Sequence, residues 1–241
     1  MSLDFSRRAH TPELMDTAHC EFETFRDCLA DLERVNVLTL AYRPTIAFLD
    51  RLASDDRLPR HRPIRILDVG SGYGDMLRRI DRWGRRRALP LDLTGIDLNP
   101  WSACAARQAS TPDSAITWQT CDLFDFEPAQ EVDLIVSSLF AHHLDDSALV
   151  RFLTWMERTA GIGWFVNDLH RHPIPYWFFR AASRLMGMHR FVQNDGPVSI
   201  TRAFVRNDWR ILLDRAGIQP GSVHTDWWMP FRLCVSRVQP R

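Results

Sequence analysis

The sequence predicts an α/β fold: a seven-stranded, mainly parallel sheet with an antiparallel last strand, helices on both faces and an N-terminal helical cap. Three observations carry this expectation. From residue 64 to 238, short apolar runs rich in Ile, Val and Leu alternate with longer segments of helical spacing. One run, Ile66-Leu67-Asp68-Val69, leads straight into glycines at 70, 72 and 74, the punctuation of a strand that turns sharply into a helix. The last two runs are separated only by Trp227 to Pro230, too short a link for a crossover, so they form an antiparallel hairpin.

Residues 1–63 precede the first strand and show helical spacing in Phe22, Phe25, Leu29 and Leu32, and again in Ile46, Leu49 and Leu52. They are expected to form a cap that ends in the Asp-, Arg- and Pro-rich loop Ser54 to Pro63, leaving residues 64–241 as the main domain. Strands are placed at 64–69, 91–96, 115–120, 132–137, 162–167, 218–225 and 231–238. Helices are placed between them at 75–86, 100–109, 146–159, 174–186 and 207–216. The last helix is read as opening on Asn207 as N-cap and closing before Gly217. Residues 170–205 form an insertion before that helix. They carry Tyr176, Trp177, Phe178, Phe179, Met186, Met188, Phe191 and Phe204, either helix core or the wall of a pocket for a flat ligand. Asp195 and Arg202 read as contacts to polar groups of a substrate or as solvated loop residues, with solvation favoured, and the arginines from 78 to 87 as a solvated helix face.

At 241 residues the chain can bury one core and still carry an appendage. A net charge of zero argues against a nucleic-acid partner, and no run approaches the ~20 apolar residues of a membrane span, so no membrane association and a cytoplasmic location are expected. Cys20, Cys28, Cys104, Cys121 and Cys234 are odd in number without C-x-x-C spacing, which reads as buried free thiols rather than disulfides or a zinc site. All 30 basic residues are arginine. Without a lysine the chain has neither a P-loop nor a Schiff-base site for pyridoxal phosphate, nor the lysine of the common short-chain dehydrogenase site.

The glycine turn lets backbone N–H groups approach a ligand at a helix N-terminus, and Asp97, ending the next strand in Gly95-Ile96-Asp97, is placed to accept both hydroxyls of a ribose. The pair points to a nucleoside cofactor. A dinucleotide fingerprint needs a third glycine where Asp75 stands, and a carboxylate there repels a pyrophosphate. The match is instead to D-x-G-x-G-x-G at Asp68 to Gly74, and here the chain resembles the class I methyltransferases that use S-adenosylmethionine, across roughly three quarters of its length. That resemblance implies a Rossmann-like sheet and S-adenosylhomocysteine as product. It also implies a cofactor site of Asp68, Gly70, Ser71, Gly72, Asp97, Leu98, Asp122, Leu123 and Ser138. Gly70 to Gly72 lie along the methionine part, Asp97 holds the ribose, and Asp122 meets the adenine amino group.

Ligands of open α/β sheets sit beyond the carboxyl ends of the strands. Two such ends carry Ala141-His142-His143 and Asn167-Asp168-Leu169-His170-Arg171-His172, which supply candidate bases and a carboxylate to orient one of them. His142 is the first choice as base. His143 either shares that work or packs in the turn; Asp168 orients a histidine or caps the next segment; His170 and His172 are catalytic or solvated. Where some similar quinone-precursor enzymes place two glutamates and a histidine for a metal, this chain has Leu139 and His142, so no metal is expected.

Ser137-Ser138-Leu139-Phe140 replaces the Asn/Asp-Pro-Pro-aromatic signature of DNA amino-methylases. The expected activity is methyl transfer to a small aromatic or polyketide-like acceptor, with oxygen favoured over carbon or nitrogen. Two rivals stand beside it: a nicotinamide-dependent oxidoreductase, and a non-catalytic nucleoside-binding module. Trp227, Trp228 and Met229 read equally as a homodimer patch, core packing or a pocket wall.

Overall fold

A computed structural model describes residues 4–17 and 21–240. Cys20 lies outside the described residues. Seven strands form one sheet in the order β3-β2-β1-β4-β5-β7-β6. They are β1 (Ile64–Val69), β2 (Leu91–Asp97), β3 (Thr117–Thr120), β4 (Val132–Ser138), β5 (Ala160–Leu169), β6 (Val223–Trp228) and β7 (Arg232–Val238). The first five pair in parallel, and β7 runs antiparallel to both β5 and β6, as the short link requires. Because the order reverses at β1 and β4, their carboxyl ends open a crevice at the switch point.

The helices are α1 (Leu14–Thr17), α2 (Phe22–Leu38), α3 (Arg43–Ser54), α4 (Asp75–Arg87), α5 (Pro100–Ala109), α6 (Asp146–Thr159), α7 (Pro173–Leu185), α8 (Arg190–Arg202) and α9 (Arg206–Arg215). They cover both faces. On one, Leu149, Phe152, Leu153 and Met156 of α6 and Trp209, Leu212 and Leu213 of α9 pack against Leu67, Ile135, Trp164 and Val166. On the other, Phe48, Leu49 and Leu52 of α3 join Met76, Leu77, Ile80 and Trp83 of α4 and Ala103 and Ala106 of α5 over Ile66, Leu134 and Phe165. The apolar spacing of α3 thus buries it in the main core, while Phe25 and Leu29 of α2 reach out to Ala105 of α5.

Several expectations are corrected. Residues 194–204 are not a solvated loop: α8 occupies most of them despite Gly196 and Pro197, and Asp195 and Arg202 are buried. A Cβ on Gly196 would strike Phe179, so the residue that reads as a breaker is what lets α7 and α8 pack closely. The last helix opens on Val205 rather than Asn207, because the Asp208 carboxylate accepts the Val205 N–H at 2.8 Å while Asn207 takes hydrogen bonds from Arg210. The sixth strand starts at Val223, since Pro220–Ser222 form a 3₁₀ turn. Cys28 and Cys234 are buried thiols as expected, but Cys104 is exposed. Among the aromatics of the insertion, Tyr176, Phe191 and Phe204 are buried, whereas Trp177 and Phe178 are exposed. Trp227 and Met229 are exposed too, and Trp228 packs against the core. Among the described residues no helix is long and apolar enough to cross a membrane.

Candidate active site

The carboxyl ends of the parallel strands open into a cavity of about 910 Å³, roofed by α2 and α8. That is near the upper end of the roughly 300–1,000 Å³ typical of small-molecule sites. Asp68, Gly70, Ser71, Gly72, Asp97, Leu98, Asp122, Leu123, Ser138, His142, His143 and His170 all line it.

One end is built by the turn after β1. Gly70 has φ +70°, and a Cβ there would collide with the Phe140 ring; its N–H and that of Ser71 both donate to the Ile96 carbonyl at 3.0 Å, which ties the turn to β2. Gly72, at φ +48°, faces open space, and its N–H donates to Asp97 Oδ2 at 2.8 Å. Asp97 Oδ1 accepts the Asn99 N–H at 2.9 Å, so both oxygens are anchored while the residue still lines the cavity. Burial raises its pKa, against the lowering by the Asn99, Gly72 and Ser102 hydrogen bonds. Asp68 lies behind the turn, with Oδ1 buried and unpartnered. Burial, with Asp75 and Asp97 nearby, pushes its pKa well above the usual carboxylate range. Such a group accepts an ammonium or another donor readily. An orphan acid, an anchored acid and an open glycine turn fit the amino group, ribose and methionine part of S-adenosylmethionine. Asp75 opens α4 and accepts the Tyr42 hydroxyl at 2.5 Å, so this helix N-terminus already holds an anion where a dinucleotide would need one.

The other end is histidine-rich. Ala141–His143 form a 3₁₀ turn after β4, and Asp168 lies on the neighbouring strand β5. Asp168 Oδ1 is 2.7 Å from His142 Nδ1, and its Oδ2 accepts the His142 backbone N–H at 3.1 Å, which fixes the ring with Nε2 turned away. His142 Nε2 lies 3.6 Å from Glu13 Oε1, and His143 Nε2 lies 3.8 Å from Glu13 Oε2. Ser199 of α8 donates to Glu13 Oε1 at 2.7 Å. Burial alone would push the His142 imidazolium down, but Asp168 and Glu13 outweigh it and raise its pKa to about 9. Burial opposes ionisation of Glu13 as well, yet the hydrogen bond with His142, the adjacent histidines and Ser199 bring it down to about 2. Asp168 is lowered by the same imidazolium, again against burial.

Arg202 holds the histidine turn in place by donating to the His142 and His143 carbonyls at 3.1 and 2.7 Å. Arg8 adds bonds to the Leu144 and Arg202 carbonyls at 2.9 Å each. Asp195 accepts the N–H groups of Leu14 and Met15 at 2.8 and 3.0 Å and so docks the N-terminal arm on α8.

The structure therefore joins His142, His143 and Asp168 but leaves His170 apart. His170 stacks on His172 at 5.9 Å, while His172 caps α7 by accepting the Ile174 N–H. Burial, then His172, Arg171 and Arg206, disfavour the charged form of His170. Glu13, far from the histidines in sequence, carries no local pattern that would single it out. With His142 and His143 it brings three ligand atoms within 4.8 Å, a set that a divalent ion could use only if His142 gave up its proton.

A family profile described as a methyltransferase domain matches residues 66–163, from β1 into β5. No curated protein matches the sequence. Among solved structures, the plantazolicin methyltransferase BpumL in complex with S-adenosylhomocysteine aligns at 13% identity with a TM-score of 0.63, over 91% of this chain and 96% of that one. The magnesium protoporphyrin IX methyltransferase of Synechocystis, also with S-adenosylhomocysteine bound, aligns at 13% identity with a TM-score of 0.55, over 92% and 89%. The CMeT domain of the citrinin polyketide synthase aligns at 14% identity with a TM-score of 0.58, over 81% and 51%. At such identities these structures speak to the fold. The profile spans the glycine turn and the acids at 68, 97 and 122, so residues 66–163 match a methyltransferase domain, and the solved structures share the fold of the chain around it.

Proposed function

We propose that this methyltransferase acts on a small aromatic or polyketide-like acceptor, transferring the methyl group to oxygen, with His142 as the proton acceptor and no metal. The observation that carries the reading is the buried row Asp168–His142–Glu13 on the wall of a cavity whose other end fits the cofactor. When bound, S-adenosylmethionine supplies an activated sulfonium methyl group. What remains for the protein is to hold the acceptor oxygen in line and to take its proton.

Asp168 fixes the His142 tautomer and stabilises the imidazolium that proton transfer creates. Glu13 modulates this. With Glu13 beside Nε2, the ring already holds a proton at neutral pH. An acceptor hydroxyl that displaces Glu13 from Nε2 leaves the ring with Asp168 alone; the Nε2 proton departs with the Glu13 carboxylate, and the neutral ring then accepts the hydroxyl proton. Alternatively, an acceptor that arrives as an oxyanion pairs directly with the imidazolium. The apolar walls, Phe25, Leu29, Phe140 and Phe179 among them, limit water at the step.

A thermal-shift titration with S-adenosylhomocysteine and NAD is the first test: stabilisation by the first and not by the second is expected, and the reverse would install the oxidoreductase. Acceptor screening with labelled S-adenosylmethionine follows. Turnover of phenolic acceptors that disappears in a His142→Ala variant is expected. Unchanged turnover in that variant would remove the histidine from the mechanism, and no turnover on any phenol would favour C- or N-methylation or a binding module.

A further inference from the structure

Arg232, the first residue of β7, is only 3% exposed and forms part of the cavity wall. Its Nη2 donates to Thr39 Oγ1 at 3.2 Å, but Nε and Nη1 are buried with no hydrogen-bond acceptor. A guanidinium keeps its charge in almost any setting, so this is a buried cation with unused donors. Burial lowers its pKa, against the electrostatic pull of Cys234, Asp168 and Tyr42. Asp168 is already engaged by His142.

Its place along the sheet separates it from the cofactor end. Asp68 and the glycine turn follow β1, and Asp97 ends β2; His142 and Asp168 stand at β4 and β5; Arg232 stands at β7, beyond them. Strands are spaced ~4.8 Å apart, so β7 lies roughly 14 Å from β1. Along the strand order His142 and Asp168 thus stand between the cofactor end and β7, while the Thr39 contact turns the guanidinium toward the link between α2 and α3. A group that is methylated beside His142 and extends along the cavity away from β1 runs toward the wall that Arg232 helps to form.

We infer that Arg232 anchors a carboxylate on the acceptor. A planar, monoanionic carboxylate matches a single guanidinium, supplies the missing acceptors and stays charged at neutral pH when a phenol does not. Among the described residues the charged arginine on this wall stands alone, which suits one carboxylate better than a phosphate. The acceptor class is then a hydroxy-substituted aromatic or polyketide acid, held by its acid at one end and presented through its hydroxyl at the other. This inference rests on the methyl-transfer reading of the cavity.

The test uses the full chain saturated with S-adenosylhomocysteine, in wild-type and Arg232→Met forms, because an apolar isostere of a buried charge is commonly tolerated in folding. Calorimetric titration with a panel of hydroxybenzoates and hydroxynaphthoates is compared with titration of the corresponding primary amides. At least one acid is expected to bind wild type tenfold or more tightly than its amide, with that preference lost in Arg232→Met and S-adenosylhomocysteine affinity unchanged. Equal binding of acids and amides by wild type would overturn the inference, as would an acid preference that survives in Arg232→Met. Weaker S-adenosylhomocysteine binding in the variant would also overturn it, by assigning the guanidinium to the cofactor. Failure of wild type to bind S-adenosylhomocysteine at all would instead strike at the methyl-transfer reading.

Discussion

At the scale of single residues, His142 is the group whose charge the structure controls most closely. Its folded pKa of about 9 lies above the ordinary 6.5, so its contribution to stability is complete below pH 6.5 and is lost as pH rises through 9. The melting temperature of wild type should fall across that window, and a His142→Gln variant should lack that loss. For Glu13 the sign is opposite: with a folded pKa of about 2, its contribution is present above the ordinary 4.5 and disappears as pH falls toward 2. Glu13→Gln removes one of the two anions that hold the proton on His142, so the acidic limb of the kcat/KM profile should move to lower pH. An unmoved limb would show that His142 is not the titrating base. Asp168→Asn loses the orienting partner as well and should lower kcat by about 10²–10⁴-fold at every pH. His142 and Asp168 were legible because strand ends of a parallel sheet face the ligand whatever their sequence. Glu13 and Arg232 were not, since a charge becomes a partner only through contacts made across the whole chain, which have no local period.

The elements show a similar division. Helices 100–109 and 146–159 were read correctly to the residue because their ends carry strong signals: Asn99 accepts the Trp101 N–H and precedes Pro100, and Asp145 accepts the Ala148 N–H at 2.8 Å. The α8 helix was missed because Gly196-Pro197 has the composition of a turn, while its helical state depends on Phe179 and the docked arm. Two substitutions test elements rather than chemistry. Gly70→Ala puts a Cβ into Phe140 at a left-handed φ and should cost about 2–4 kcal/mol in urea denaturation. Asp195→Ala strands the Leu14 and Met15 N–H groups, a local loss of ~1–3 kcal/mol. Amide exchange at those two positions should then accelerate, with the protection of β4 unchanged; equal acceleration in β4 would mean that the arm is part of the global unfolding unit.

For the whole molecule, the sequence signalled the sheet, its reversed strand and its two helical faces because each is written in short-range terms: apolar runs, helical stripes and one link too short to cross. The extent of the cap was harder to read, since the stripe of α3 looks the same whether it buries itself in the main core, as it does, or in a separate layer. A ligand that spans the carboxyl ends of β1 and β2 should stabilise the molecule as a unit. S-adenosylhomocysteine at a hundred times its Kd is worth ~2.7 kcal/mol, an expected rise in Tm of roughly 5–10 °C, readable by calorimetry. The docking of the N-terminal arm carries a further consequence for how the protein comes into being. Glu13 and Ser199, separated by 186 positions, meet only when nearly the whole chain is available. During synthesis the β1–β4 half can collapse early, yet the arm must wait for α8 to leave the ribosome before it finds its seat. Until then His142 has the acidity that Asp168 alone confers, so a nascent chain holds the β1–β5 part of the sheet with a histidine not yet tuned, and full titration behaviour marks completion of the fold.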